Sequence, residues 1–326
     1  MKPKNLHVTF LTVLLSCTTH IAAESFKDTW LEMQNHYTAM RKQLNLTAHE
    51  SMRKLLYHPQ WQNFSAQIKQ LITGQPNQNF LQFPAITATM VRSGMGIGQA
   101  YETCYLTQCI SKKTKAILAR FTEPEVCRLK KECTEFNCNT NTLGQLFYAA
   151  RILEQTPSEN IQTIVEFGGG YGCLAHIFKK TLPHANIYII DIPELLSIQY
   201  VYLKTALPFE KIHVHTPDNL RSLHENGIHL IPTHIMMDLD LRTDLFISNF
   251  ALSEVTEHVQ QMVAEKKFFN AQTCYITGQL DGWGSFGFED HSSVHAHIRS
   301  CYAQVTCHPF HLFLATLKSY EIIAHN

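Results

Sequence analysis

The sequence predicts an α/β fold: a doubly wound, Rossmann-like sheet preceded by a mainly helical N-terminal region. The main reason is that, from residue 161 onwards, short apolar runs alternate with helix-like runs, as in a parallel sheet with crossover helices. The first apolar run, Ile161 to Val165, leads into Glu166-Phe167-Gly168-Gly169-Gly170-Tyr171-Gly172, a glycine-rich turn that opens the helix-like run Leu174 to Lys180. The second, Asn186 to Ile190, ends in an acid, Asp191.

The elements divide the chain into three parts, 1–23, 24–155 and 156–326. Residues 1–23 read as a signal peptide or membrane anchor. Lys2 and Lys4 precede the apolar run Val8 to Leu15, and Ile21-Ala22-Ala23 supplies a small-residue cleavage site before Glu24. The apolar run is too short and interrupted for a convincing membrane span. Leu14-Leu15-Ser16-Cys17 also resembles a bacterial lipobox. Export to a periplasmic, lumenal or secreted location is expected, with membrane association through the N-terminus as the alternative.

Residues 24–155 read as helical and cysteine-rich. Thr47-Ala48-His49-Glu50 has the capping-box pattern. Pro59 suits the first turn of a helix in which Trp61, Phe64, Ile68, Leu71 and Ile72 recur at helical spacing, a stripe that reads as core. Gly74-Gln75-Pro76 breaks that pattern, and Met90 to Gly98 reads as a flexible connection before a helical run from Tyr101 to Cys109. Leu143 to Leu153 is a helix feeding the first strand. Cys104, Cys109, Cys127, Cys133 and Cys138 lack the C-x2-C spacing of zinc sites. In an oxidising compartment they suit disulfides, with Cys274, Cys301 and Cys307 as further partners and Cys173 free. Buried apolar thiols are the alternative.

In residues 156–326, strands are expected at 161–167, 186–191, 228–232, 244–249 and 273–279, and helices near 173–181, 194–206 and 254–269. Residues 306–318 read as the last hairpin strand, and 211–215 as either a strand or a loop. Ligands of such sheets lie beyond the carboxyl ends of the strands. That rule puts the 168–172 turn, Asp191, Thr233-His234, Asn249 and Gln279 on one rim.

Composition narrows the function. Lys+Arg and Asp+Glu are equal at 27 each, so there is no overall basic field of the kind that nucleic acid requires. A strand, a glycine turn and a helix in succession let backbone N–H groups approach a nucleotide-like ligand. Cys173 stands where a dinucleotide fingerprint has its third glycine, which points away from a pyrophosphate ligand. A tight turn needing positive φ is the plain alternative. Asp191, roughly 20 residues past the glycines, is placed to accept ribose hydroxyls, or else to cap the helix that starts at Pro193.

The spacing E-x-G-x-G-x-G resembles the first motif of S-adenosylmethionine-dependent methyltransferases. VEFGGGYGCLA (165–175), IYIIDIPELLSIQYVYL (187–203) and DLFISNFALSEV (244–255) together resemble the bacterial-type sugar O-methyltransferases of the class I methyltransferase fold. The resemblance covers 165–280 best. It implies S-adenosylmethionine as cofactor, held at Glu166, Gly168, Gly170, Gly172 and Asp191, and a saccharide or glycoconjugate hydroxyl as acceptor. Asn249, on the same rim, completes the cofactor set. Three positions depart from the pattern: Ser248-Asn249 replaces Asn-Ser, and Val255 replaces Met.

Methyl transfer to a hydroxyl needs a base. Glu254 is the first candidate for a base or substrate-orienting group, with helix capping as its alternative role. Beyond the fifth strand, Trp283 and Phe286 offer stacking faces for a sugar. His291 and His295 stand four apart, but a chain with 19 histidines produces such pairs by chance. No metal is assigned, and His295 is kept as a second base candidate. The competing expectation is a catalytically inactive exported protein that uses the fold as a binding module, because adenosylmethionine is made in the cytosol.

Overall fold

The computed structural model describes residues 6–47, 56, 58–91, 97–125, 127, 129–279, 291–310 and 319–326. The helical region comprises α1 (Leu6–Thr47), α2 (Pro59–Thr73), α3 (Pro84–Thr89), α4 (Ile97–Cys104), α5 (Lys112–Leu118) and α6 (Thr140–Gln155). Helix α1 runs unbroken through the expected export segment and into the helical region. Thr47 is the last described residue of α1, and the rest of the expected capping box, residues 48–50, lies outside the described residues. Among the described residues, no helix is long and apolar enough to cross a membrane. Asn139 caps α6 by accepting the Thr142 N–H, and Leu143, Phe147 and Ala150 are among the α6 residues buried in the core.

The sheet region follows as β1 (Thr163–Phe167), α7 (Cys173–Thr181), β2 (Asn186–Asp191), α8 (Pro193–Ala206), β3 (Ile212–Val214), β4 (Ile228–Pro232), β5 (Leu245–Asn249), α9 (Glu257–Glu265), β6 (Thr273–Gln279), α10 (His291–Cys301), β7 (Gln304–Phe310) and β8 (Ser319–His325). The strand order is β3-β4-β2-β1-β5-β6-β8-β7. Strands β1 to β6 pair in parallel, and β8 runs antiparallel to both β6 and β7. Strand order reverses between β1 and β5, which is the switch point where α/β sheets bind ligands. The fold is the doubly wound, Rossmann-like methyltransferase sheet with a helical N-terminal region, as expected.

The central strands are short, apolar and buried on both faces, the burial a parallel sheet requires. The start of β1 is pinned by Asp244, just before β5, whose Oδ2 accepts the N–H groups of Gln162 (2.8 Å) and Thr163 (2.9 Å). Helix α8 starts with Pro193 in its first turn and is buried from Pro193 to Leu203, between the sheet and helices α1 and α2. Each fully buried Leu or Ile of that helix contributes about 1.5–3 kcal/mol.

Several boundaries differ from expectation. Residues 211–215 do contain a strand, Ile212–Val214, which pairs with β4. The predicted 254–269 helix is instead a short turn, then α9, then a left-handed stretch Lys267–Asn270. The hairpin expected over 306–318 begins earlier, at Gln304, and its second strand is Ser319–His325; residues 311–318 lie outside the described residues. The expected disulfides are not present: the cysteines from Cys104 to Cys307 are free. Cys127, Cys133, Cys138, Cys173 and Cys274 are buried apolar thiols, so packing accounts for them. Cys133 and Cys138 pair through their backbones and through a thiol–thiol hydrogen bond, without a disulfide.

Candidate nucleoside site and adjoining acids

The glycine turn joins β1 to α7. Gly168, Gly170 and Gly172 all have positive φ, at 78°, 56° and 97°. At Gly168 a close approach adds to this, since a Cβ would lie 1.9 Å from the Ala251 Cβ. The loop after β5 therefore packs directly on the turn, and only glycine fits there. Gly172 is the left-handed cap from which α7 begins. The turn is tied to the neighbouring strand by the Gly168 N–H, which donates to the Ile190 carbonyl at 2.9 Å.

Two predicted carboxylates lie beside this turn. Asp191 ends β2 and is 7% exposed. Its Oδ1 accepts the Ile192 N–H, and its Oδ2 accepts the Gln199 side-chain N–H, each at 2.8 Å. Burial pushes its pKa up to about 7, while the bonds from Ile192, Gln199 and Gly169 pull it down. Glu166 is buried in β1, and burial together with the nearby Asp191 charge pushes it to about 8. Two acids this close disfavour joint ionisation. Gln199 was not foreseen from sequence. Its Nε2 also donates to the Gly170 carbonyl at 3.0 Å, so one side chain of α8 holds both the acid and the turn. Its place eight residues after Asp191, on a helix packed over the turn, was the available signal.

The remaining rim residues stand where expected. His234 follows β4 in a 3₁₀ turn (Thr233–Asp238), and burial followed by the Arg41 charge lowers its pKa to about 4. Asn249 ends β5, and its Oδ1 accepts the Thr277 hydroxyl at 3.2 Å. Phe250, next in the chain, has φ of 65°, an uncommon conformation for a bulky residue. Gln279 ends β6. Among the described residues, Asn249 Nδ2, Gln279 Oε1, His234 Nε2 and Gln199 Oε1 are buried polar atoms without a hydrogen-bond partner. Buried polar groups are normally satisfied, so this set fits a polar ligand laid along the strand ends.

Glu254 follows the short 3₁₀ turn Ala251–Ser253 and is part-buried. Its Oε1 accepts the Gln279 Nε2–H at 3.2 Å, and the Trp61 side chain also hydrogen-bonds to it. Burial pushes it to about 7, against those two bonds. It does not cap α9; that role belongs to Thr256, whose side chain accepts the Val259 N–H. His295 is half-buried on α10, where its Nε2 accepts the Arg299 Nε–H at 3.2 Å. Burial, then the Arg299 charge, lowers its pKa. Trp283 and Phe286 lie outside the described residues. Among the described residues, no group of His, Cys, Asp and Glu is arranged to hold a metal ion.

The helical region reaches this rim from above, which sequence reading did not foresee. Trp61 of α2 meets Glu254. From α1, Tyr37 donates its hydroxyl to Glu194 Oε1 at 3.0 Å, and Arg41 pairs with the same oxygen at 3.3 Å. Tyr37 and Arg41 are one helical turn apart, the spacing that puts both on one face.

No family model matches the chain. Two curated proteins, the ribosomal RNA large subunit methyltransferases G of Shewanella sp. strains MR-4 and ANA-3, are 29% and 28% identical to it over 180 residues. Each match covers 51% of this chain and 45% of the relative, so the chain spans less than half the length of these relatives. Among solved structures, the methyltransferase domain of bacterial CtHen1 is 14% identical, covering 54% of this chain and 94% of its own, with a TM-score of 0.39. A SAM-dependent methyltransferase from Aquifex aeolicus is also 14% identical, covering 53% of this chain and 87% of its own, with a TM-score of 0.36. Strand order, the position of the switch point and the glycine turn together give this chain a class I methyltransferase fold.

Proposed function

We propose that this chain is an S-adenosylmethionine-dependent methyltransferase that methylates a hydroxyl of a saccharide or glycoconjugate. The observation that carries the proposal is the convergence, at the switch point, of the glycine turn, Asp191 and Glu254. When bound, adenosylmethionine supplies an activated methyl group. Gly168, Gly170 and Gly172 let backbone approach it, Asp191 accepts the ribose hydroxyls, and Glu166 and Asn249 complete its polar surroundings. Glu254, poised near neutrality, takes the proton of the acceptor hydroxyl, oriented by Gln279 and Trp61. The sugar assignment rests on the likeness of segments 165–175, 187–203 and 244–255 to sugar O-methyltransferases.

RNA methylation is a second reading, favoured by the names of the curated relatives. The balance of 27 basic and 27 acidic residues weighs against it. Methyl transfer from labelled cofactor to parallel panels of glycans and RNA separates the readings. Transfer to glycans supports the proposal, transfer to RNA alone replaces it, and transfer to neither supports the inactive binding module. The proposal includes export through the N-terminal segment, with membrane anchoring as the alternative. Sequencing the N-terminus of the native protein tests this: a start near Glu24 supports cleavage, and an intact Met1 opposes it.

A further inference from the structure

A cleft of about 380 Å³ is lined by Tyr37, Thr38, Arg41, Lys42 and Asn45 of α1 and Lys69 of α2. Among the described residues its lining holds three cations and no acid. The α1 residues follow the i, i+1, i+4, i+5, i+8 pattern of one helical face. Both helices rest on α8, and Gln34 joins them at one end by donating to the carbonyls of Ile72 (2.8 Å) and Gly74 (3.0 Å). The groove between them is thus held by the fold.

The floor and the wall of the cleft differ in charge state. Tyr37 is buried, and Arg41 is tied to the buried Glu194 at 3.3 Å, so its charge is largely balanced. Lys42 and Lys69 are exposed and have no ionic partner among the described residues. They give the groove a positive charge that no acid among the described residues balances, while the Thr38 hydroxyl is taken by the Gln34 carbonyl at 2.8 Å. The floor connects it to the rim: Glu194 lies three residues after Asp191, and Arg41 acts electrostatically on His234. We propose that this cleft binds an anionic substituent, a phosphate or carboxylate, carried by the acceptor saccharide. This inference rests on the methyl-transfer reading and names the acceptor as a charged sugar. Binding energy from such a remote group orients the hydroxyl at the reacting centre.

The volume favours a small anion over a polynucleotide, which needs an extended basic track. The test uses the full chain and the Lys42→Gln/Lys69→Gln double variant; both positions are exposed, and thermal midpoints confirm that the variant folds. Calorimetric titration with inorganic pyrophosphate at low salt is expected to give saturable binding, weakened at least tenfold in the variant, with adenosylmethionine affinity unchanged. With a hexose phosphate as acceptor, KM should rise at least tenfold in the variant with kcat retained, and KM for the neutral hexose should not move. Absence of pyrophosphate binding by the wild type, or equal binding by both proteins, overturns the proposal. So does single-stranded RNA that binds more tightly than pyrophosphate through the same lysines. If no saccharide is methylated, the functional reading fails, while the pyrophosphate titration still decides the cleft.

Discussion

Asp191 and Glu254 are acids held near neutrality by burial, and this gives each a pH signature. For Asp191 the folded-state pKa lies above the unfolded value. Its contribution to stability is therefore fully present below about pH 4 and is lost as pH rises to about 7, at a cost on the order of a few kcal/mol. Asp191→Asn should accordingly raise the thermal midpoint at pH 8 but not at pH 4, while weakening adenosylmethionine binding at least tenfold. A variant that binds the cofactor normally would remove Asp191 from the site. Glu254 as base predicts that kcat/KM rises through about pH 7, and Glu254→Gln should abolish that limb and cut the rate by about 10²–10⁴. An unchanged pH profile would reassign Glu254 to structure. Asp191 was legible because it follows a strand at the right separation from the glycines. Gln199 and Trp61 were not, because their roles depend on long-range packing: nothing local marks Gln199 as the bridge between turn and acid.

At the scale of elements, the strands were legible because buried parallel strands are short apolar runs with clear limits. Four of the five expected strands have both ends within a residue of those observed, at 186–191, 228–232, 245–249 and 273–279, and the fifth begins two residues later than expected, at Thr163. Strand β8 was missed because Ser319-Tyr320-Glu321 opens it with polar residues, and its acid is explained only by a partner far away in sequence. Arg151 of α6 donates through Nε to Glu321 Oε1 at 2.9 Å and through Nη2 to Oε2, and the Tyr275 hydroxyl donates to Oε1 at 2.8 Å. This bidentate pair ties the helical region to the antiparallel edge of the sheet. Arg151→Met strands a buried carboxylate and should cost about 3–5 kcal/mol in chemical unfolding; the double change with Glu321→Leu should recover most of it. A loss in the single variant below about 1 kcal/mol would contradict the role given to the pair.

The whole molecule places a helical cover on a methyltransferase-type sheet. Sequence periodicity predicted both parts but not their contact, because Trp61 read as part of a core stripe and nothing local marked Tyr37 or Arg41. In the structure they meet Glu194 and Glu254, so the cover contributes to the site. The proposed export and the cytosolic origin of the cofactor are reconciled only if cofactor reaches the folded protein. In the proposed function, the switch-point site binds adenosylmethionine through an ionised Asp191. Calorimetric titration of the full chain with adenosylmethionine at pH 6 and pH 8 tests it most directly. Saturable binding is expected, several-fold tighter at pH 8, with this difference lost in Asp191→Asn. No binding at high micromolar cofactor at either pH would contradict it.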